Sequence, residues 1–190
     1  MTEPLRIPLV PADQLDEETA ALLALTAQEG REPPPTVAVL AHTPALLGPF
    51  LGWAAALALS GALSHRDHEL LALRAAWNSQ SAFEWGEHLG FARSAGITDV
   101  EIEAVAEGPT ATGWTPPERN LLRAADELHA SAAVSTDTIA ALASDYAPAA
   151  LVEIPFVYGQ YTMLSMVANA IGATPDPAWE PMPGWDAERF

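Results

Sequence analysis

The chain contains no cysteine and no lysine. Without a thiol there is no disulfide exchange, no thiol peroxidase chemistry and no Cys-ligated zinc. Without a lysine there is no Schiff base and no phosphate-binding P-loop lysine. The positive charge that remains comes from eight arginines spread from Arg6 to Arg189, against 25 acidic residues, for a net charge of −17. A nucleic-acid partner is therefore excluded, because phosphate-tracking surfaces need clustered Lys and Arg. Alternating apolar and polar runs of the strand type are also missing. The segment from Met1 to Pro11 has no basic stretch followed by an apolar one, so a secretory leader is not expected and a cytoplasmic location is.

What is present is a 190-residue chain, 49% hydrophobic, with 17 prolines and 12 glycines. That length suits one buried core, and the composition suits an all-α fold of about seven to eight helices with many starts and stops. Three regions are expected: an arm over residues 1–36, a helical domain over 37–172, and a Pro/Trp-rich tail over 173–190. In the arm, Pro4, Pro8 and Pro11 keep the start extended, and an acidic helix is expected from about Asp13 to Gln28 before Pro33-Pro34-Pro35. A short helix or turn covers Thr36 to Ala41. Residues 45–63 carry no charge and approach the length of a membrane span. Gly48, Pro49, Gly52, Ser60 and Gly61 interrupt them, however, and no basic residues flank their start, so a helix buried in the core or at a subunit interface is expected there and no membrane contact.

Ser64 is placed to cap the next helix, with Asp67 three residues on, and the row Leu70, Leu71, Leu73, Trp77 carries it to Asn78. A helix from about Gln80 to Ala95, ending at Gly96, follows. Further helices are expected over Thr98–Ala106, from Pro116 through Leu128, from Thr136 to Tyr146 under a Ser135 cap, and from Pro148 to Gly172. The tail from Thr174 to Phe190, with four prolines and two tryptophans, should lie extended across the body or a neighbouring subunit.

In the helix beginning near Gln80, Ser81, Glu84 and His88 stand at i, i+3 and i+7 and share a face. A carboxylate one turn from an imidazole is a candidate acid/base pair near neutral pH. The same spacing also describes an ordinary surface ion pair. Glu69 lies on an apolar side of its own helix with Leu73 and Ala76, where an unpaired carboxylate is costly. It is either part of a site or bridged to Arg66, and spacing alone leaves both open. His65 and His68 raise a metal site, but their place at a helix start beside Arg66 and Asp67 favours exposed capping, and no metal is expected. Arg74 suits a bidentate grip on a substrate carboxylate, or a structural pair with an acidic residue. Trp85, Tyr158 and Tyr161 read as core or pocket wall, with Tyr161 able to donate to a carbonyl.

The run Leu63-Ser64-His65-Arg66-Asp67-His68-Glu69-Leu70-Leu71-Ala72-Leu73-Arg74, followed by Phe83-Glu84-Trp85-Gly86-Glu87-His88, resembles the carboxymuconolactone decarboxylase family, also called AhpD-like. His42-Thr43-Pro44-Ala45-Leu46-Leu47 and Val157-Tyr158-Gly159-Gln160-Tyr161 with Asn169 extend the likeness over residues 37–172. The resemblance implies an AhpD-like all-α fold and homo-oligomers, with dimer, trimer and hexamer all open. In the family's peroxidase branch a Glu, a Cys-x-x-Cys and a His act together. Here Glu69 and His88 match, while Ser81 and Glu84 stand at the cysteine positions, so peroxidase activity is not expected. The decarboxylase branch has a Glu-x-x-x-His like Glu84 and His88 and works without metal or organic cofactor.

The expectation is therefore a cofactor-independent enzyme that decarboxylates or isomerises a small lactone or keto acid. His88 is expected as general acid/base, Glu84 to orient it, Glu69 to relay protons or to protonate the carbanion carbon, and Ser81, Arg74, Trp85, Tyr158 and Tyr161 to bind substrate. Two alternatives stand beside it. One is a non-catalytic scaffold or small-molecule-binding protein, which would leave Glu84 and His88 exposed with no pocket beside them. The other is a cyclase or dehydratase whose arm and tail shape a larger pocket.

Overall fold

The computed structural model describes residues 4–27 and 31–185. Among them are nine α-helices and no strand: α1 (Glu17–Ala24), α2 (Pro35–Ala38), α3 (Pro44–Ser60), α4 (His65–Asn78), α5 (Ala82–Ser94), α6 (Asp99–Glu107), α7 (Pro116–Ser131), α8 (Thr136–Leu142) and α9 (Pro148–Ile171). The all-α architecture is the one expected. The count exceeds seven to eight because the single turn of α2 is a helix of its own.

The boundaries follow local chemistry. Proline occupies the first turn of α2, α3, α7 and α9, where its missing N–H costs nothing. The side chains of Asp16, Ser64, Ser81, Thr98, Thr115 and Ser135 each accept a backbone N–H at a helix start. At the other end, α9 stops where Gly172 turns left-handed at φ 73°.

Three boundaries differ from expectation. The arm holds a one-turn 3-10 segment (Ala12–Gln14) and then α1, because Asp16 caps Thr19 and restarts the chain; Gln28, the expected helix end, lies outside the described residues. Helix α5 begins at Ala82 instead of Gln80, since Gln80 takes a left-handed φ of 52° and Ser81 becomes the cap. Helix α8 ends at Leu142, and Tyr146 turns away to donate its hydroxyl to Asp67 Oδ1 at 3.0 Å.

Helix α4 is the axis of the molecule, packed between α5, α7 and α9. Every residue from His68 to Ala76 is buried, so polar side chains in that stretch face other helices, not water. Leu70, Leu71 and Leu73 meet Trp85, Leu121, Leu122, Ile154 and Val157 in one core. Each such leucine contributes about 1.5–3 kcal/mol by leaving water.

Helix α3 corrects the sequence reading. Its charge-free run suggests full burial, yet in the single chain only Leu47 is buried, joined by Leu23, Ala38 and Ala41 in a small second core under the arm. Apolar side chains surround α3 on every side, so one side can cover a cavity while Leu46, Trp53 and Leu59 stay exposed. No helix is long and apolar enough to cross a membrane among the described residues.

The tail crosses the body as far as it is described. Trp179 covers Gly86 and tilts against Phe83, with ring centroids 5.8 Å apart. Met182 is buried in the main core and Trp185 packs beside it. Residues 186–190 of the expected tail lie outside the described residues.

Candidate active site

The buried polar residues of α4 and α5 meet where the two helices cross. Glu69 accepts from His88 Nδ1 at 2.7 Å. On the next turn of the same wall, His68 Nε2 and the Tyr161 hydroxyl are 2.7 Å apart, which ties α4 to α9. The Tyr161 ring stands edge-on to His88 with centroids 4.4 Å apart. Glu84, 3% exposed, lies beside them and hydrogen-bonds the Thr36 side chain of α2.

Burial and charge set the protonation states. Burial pushes the Glu84 carboxyl up to about 7, against the opposing pull of His88. Burial also opposes charge on His88, but the charge and hydrogen bond of Glu69, reinforced by Glu84, outweigh it and hold the ring above its ordinary value. His68 moves the other way, because burial lowers it and no carboxylate binds it. Tyr161 is raised by burial and by the nearby Glu69 and Glu84, so its hydroxyl keeps its proton. The site thus joins a ring whose cation is favoured by its bond to Glu69, a His68–Tyr161 contact in which burial disfavours charge on both partners, and a Glu84 carboxyl that titrates at about 7.

These groups form one end of a cavity of about 640 Å³. His68, Glu84, Glu87, His88, Gln160, Tyr161 and Thr36 supply its polar lining; Leu22 and Leu25 of the arm and Phe50, Leu51, Ala54, Ala55, Leu57 and Ala58 of α3 supply an apolar one. Leu25, Leu59 and Phe91 are exposed at its edges. Among the described residues no group of three or more His, Asp or Glu side chains is arranged to hold a metal.

Several expected site residues stand elsewhere. Arg74 is buried away from the cavity, with Nε and Nη2 donating to Asp126 at 2.6 and 2.9 Å, Nη1 donating to the Val105 and Ala106 carbonyls, and the guanidinium over Trp77. It is structural, and no substrate carboxylate can reach it without displacing Asp126. Ser81 is fully buried as the α5 cap, accepting the Glu84 N–H, and does not line the cavity, so the expected three-residue face is two residues. Trp85 belongs to the core, and the Tyr158 hydroxyl accepts from Asn78. Glu84 does not hold the imidazole as expected; Glu69, on the other helix, does. The Arg66 bridge to Glu69 is not formed either, since Arg66 binds Glu101 and Glu118.

His68 is the residue that sequence reasoning misplaced. His65 is exposed as expected, but His68 is 6% exposed and faces the cavity. Its position one turn before Ala72 and two before Ala75, on the apolar row of α4, was the available signal.

This is an all-α helical protein whose buried acid/base cluster lies where α4, α5 and α9 meet over a largely apolar cavity. Residues 44–127 match the model of the carboxymuconolactone decarboxylase family, and the fold is that of AhpD-like proteins, here without any cysteine. No curated protein matches the chain. Among solved structures, the AhpD-core peroxidase-related protein of Ralstonia eutropha JMP134 is similar at TM-score 0.80 and 20% identity, over 93% of this chain and 95% of that one. A peroxidase-related protein of Silicibacter sp. TM1040 is similar at 0.79 and 20%, over 93% and 96%. A variant of the debrominase Bmp8 in complex with a tribromopyrrole is similar at 0.73 and 14%, over 93% and 95%. At these identities the likeness is one of fold.

Proposed function

We propose that the protein is a metal- and cofactor-independent acid/base enzyme acting at a carbon next to a carbonyl, by decarboxylation or isomerisation of a lactone or keto compound. The observation that carries this reading is the buried Glu69–His88 pair facing the same cavity as Glu84, whose carboxyl titrates near neutrality. The ideal general acid/base has a pKa close to the working pH, and Glu84 meets that condition.

The roles we assign differ from those expected from the sequence. Glu69 fixes the His88 ring and favours its cation, so Nε2–H is the donor available to a developing carbonyl oxyanion. Glu84 as carboxylate takes the proton from the carbon, the electron pair passes to the carbonyl oxygen, and Glu84 as acid returns the proton to carbon. In a decarboxylation the breaking C–CO₂ bond supplies that electron pair, and Glu84 supplies only the proton. Tyr161, tied to His68, shapes the wall beside His88.

A non-catalytic scaffold would expose Glu84 and His88 and leave no pocket beside them; here both are buried beside a cavity. The arm completes that cavity, and the uncharged outer faces of α3 and α9 suit a homo-oligomer. The test is loss of ultraviolet absorbance or CO₂ release from γ-carboxymuconolactone, together with deuterium uptake from D₂O beside the carbonyl of simple lactones. Wild type should catalyse one of these and the His88→Ala and Glu84→Gln variants neither. If wild type catalyses neither, the acid/base reading fails.

A further inference from the structure

The cavity is strongly two-sided in chemistry. Its polar end presents Thr36, His68, Glu84, Glu87, His88, Gln160 and Tyr161, and the opposite wall is mainly the charge-free side of α3 with Leu22 and Leu25 of α1 and its C-terminal turn. Among the described residues no arginine lines it. The guanidiniums of Arg66, Arg74 and Arg93 are each committed to carboxylates outside the cavity, and Arg31 binds Glu87 from the far side, over Trp179. His88, the ring at the cavity whose cation is favoured, is already paired with Glu69.

A substrate carboxylate entering this space would lose its water for one donor, Nε2–H of a ring whose charge Glu69 already offsets, with no bidentate partner, and it would lie beside Glu84 and Glu87. A neutral carbonyl loses far less and gains a donor at the polar end, while an alkyl or ring body gains by covering α3. The volume is in the range that takes a ligand of drug size.

We infer that the substrate is an uncharged carbonyl compound with a mainly apolar body, seated with its oxygen toward His88 and its body along α3, and not a di- or tricarboxylate. This rests on the acid/base reading above, and within it selects isomerisation over decarboxylation, because an uncharged substrate has no carboxylate to lose.

The experiment is calorimetric binding of γ-nonalactone and of its ring-opened carboxylate salt, matched in carbon skeleton, to the full chain at neutral pH. The lactone should bind at least about tenfold more tightly. The Ala55→Arg variant, which places a cation on the α3 wall at an exposed position, should reverse that preference, with unchanged circular dichroism and melting to show that it folds. Because Leu51 lines the same wall, Leu51→Arg is the second variant if Ala55→Arg fails to fold. Equal or tighter binding of the carboxylate to wild type overturns the inference, as does binding of neither compound up to the solubility limit or a preference that the arginine leaves unmoved. Failure of the acid/base reading looks different: the lactone binds with the stated preference, but wild type exchanges no deuterium into it.

Discussion

His88 on α5 and Glu69 on α4 are joined by a 2.7 Å hydrogen bond between two helices, whereas Glu84, one turn from His88 on the same helix, hydrogen-bonds Thr36 instead. An i, i+4 pair on one exposed helix is soft, because water screens it and the side chains can separate. A pair clamped between packed helices keeps its geometry, and it sets the ring's tautomer as well as its charge. The pairing of His88 is therefore tertiary, and the intrahelical spacing only brings Glu84 to the same cavity.

Replacing Glu69 by Gln keeps the volume and removes the charge that favours the His88 cation. The ring's pKa should fall, because burial then acts unopposed by its main partner. Histidine resonances followed by NMR across the pH range would show it, and turnover should drop by about 10²–10⁴-fold with its basic limb moved to lower pH. The wild-type pair also stabilises the fold. A raised native value means that this contribution is complete below histidine's ordinary value and is lost as pH rises through the native one. An unmoved His88 titration would show that Glu69 does not control the ring.

Glu84 gives a separate pH signature. Its carboxyl titrates at about 7 in the fold against 4.5 ordinarily, so between those values the native state holds a proton that the unfolded chain has released. Stability from this group is complete below the ordinary value and falls as pH rises through the native one. Glu84→Gln removes the dependence. Denaturant unfolding at pH 5 and pH 8 should show wild type losing on the order of 3 kcal/mol more than the variant between them. Parallel losses in both proteins would mean that Glu84 is ionised throughout.

Much of this was legible in the sequence where the signal is local. The Ser64 and Ser135 caps, Pro116 and Pro148 at helix starts, and Gly172 placed the starts of α4, α7, α8 and α9 and the end of α9 within a residue or two, since each satisfies or omits a particular backbone group. Glu84 and His88 were found because spacing on one helix is a local property. The partner of His88 was not, because which helix packs across α5 is decided by the whole core. Arg74 shows the same limit: a buried arginine on α4 reads as a substrate clamp until Asp126 on α7, three helices later, is seen to hold it. His68 was misjudged because proximity to a helix start suggested exposure, and α9 covers that start.

Arg74 and Asp126 supply a stability prediction. Arg74→Ala should destabilise the protein by about 1–3 kcal/mol, because it strips the Val105 and Ala106 carbonyls of their donor, leaves the part-exposed Asp126 to Asn78 alone, and removes packing over Trp77. Arg74→Lys should recover only part, since an ammonium lacks the planar fork. Thermal unfolding measures both. A large rise in KM with normal stability would instead return Arg74 to substrate binding.

Gly86 is where the tail docks. A Cβ at this position would run into the Trp179 ring, so Gly86→Ala must push the tail outward. The expected loss is about 1–3 kcal/mol, as for other overpacked sites. In a Trp179→Ala background the same Gly86→Ala change should cost little, because the obstructing ring is gone. Four melting curves close the cycle, and an undiminished loss in the second background would place the clash elsewhere.

The last prediction concerns the outer face of α9. Val152, Phe156, Met163 and Met166 recur at helical spacing, all are exposed, and Trp53 of α3 meets Phe156 edge-on with centroids 5.5 Å apart. No charged residue occurs in α3, or in α9 after Glu153. In a chain of net charge −17 this is the surface on which two copies can approach without placing carboxylates against each other, and burying it removes a continuous apolar stripe from water. Wild type should sediment as an oligomer, and Phe156→Glu, which puts a carboxylate at the centre of the stripe, should sediment as a monomer with unchanged helicity. Since α3 presents its other side to the cavity, loss of assembly should also loosen that wall, and the monomeric variant should bind γ-nonalactone more weakly although Phe156 does not line the cavity. An assembly that survives Phe156→Glu would place the interface on another face of the molecule.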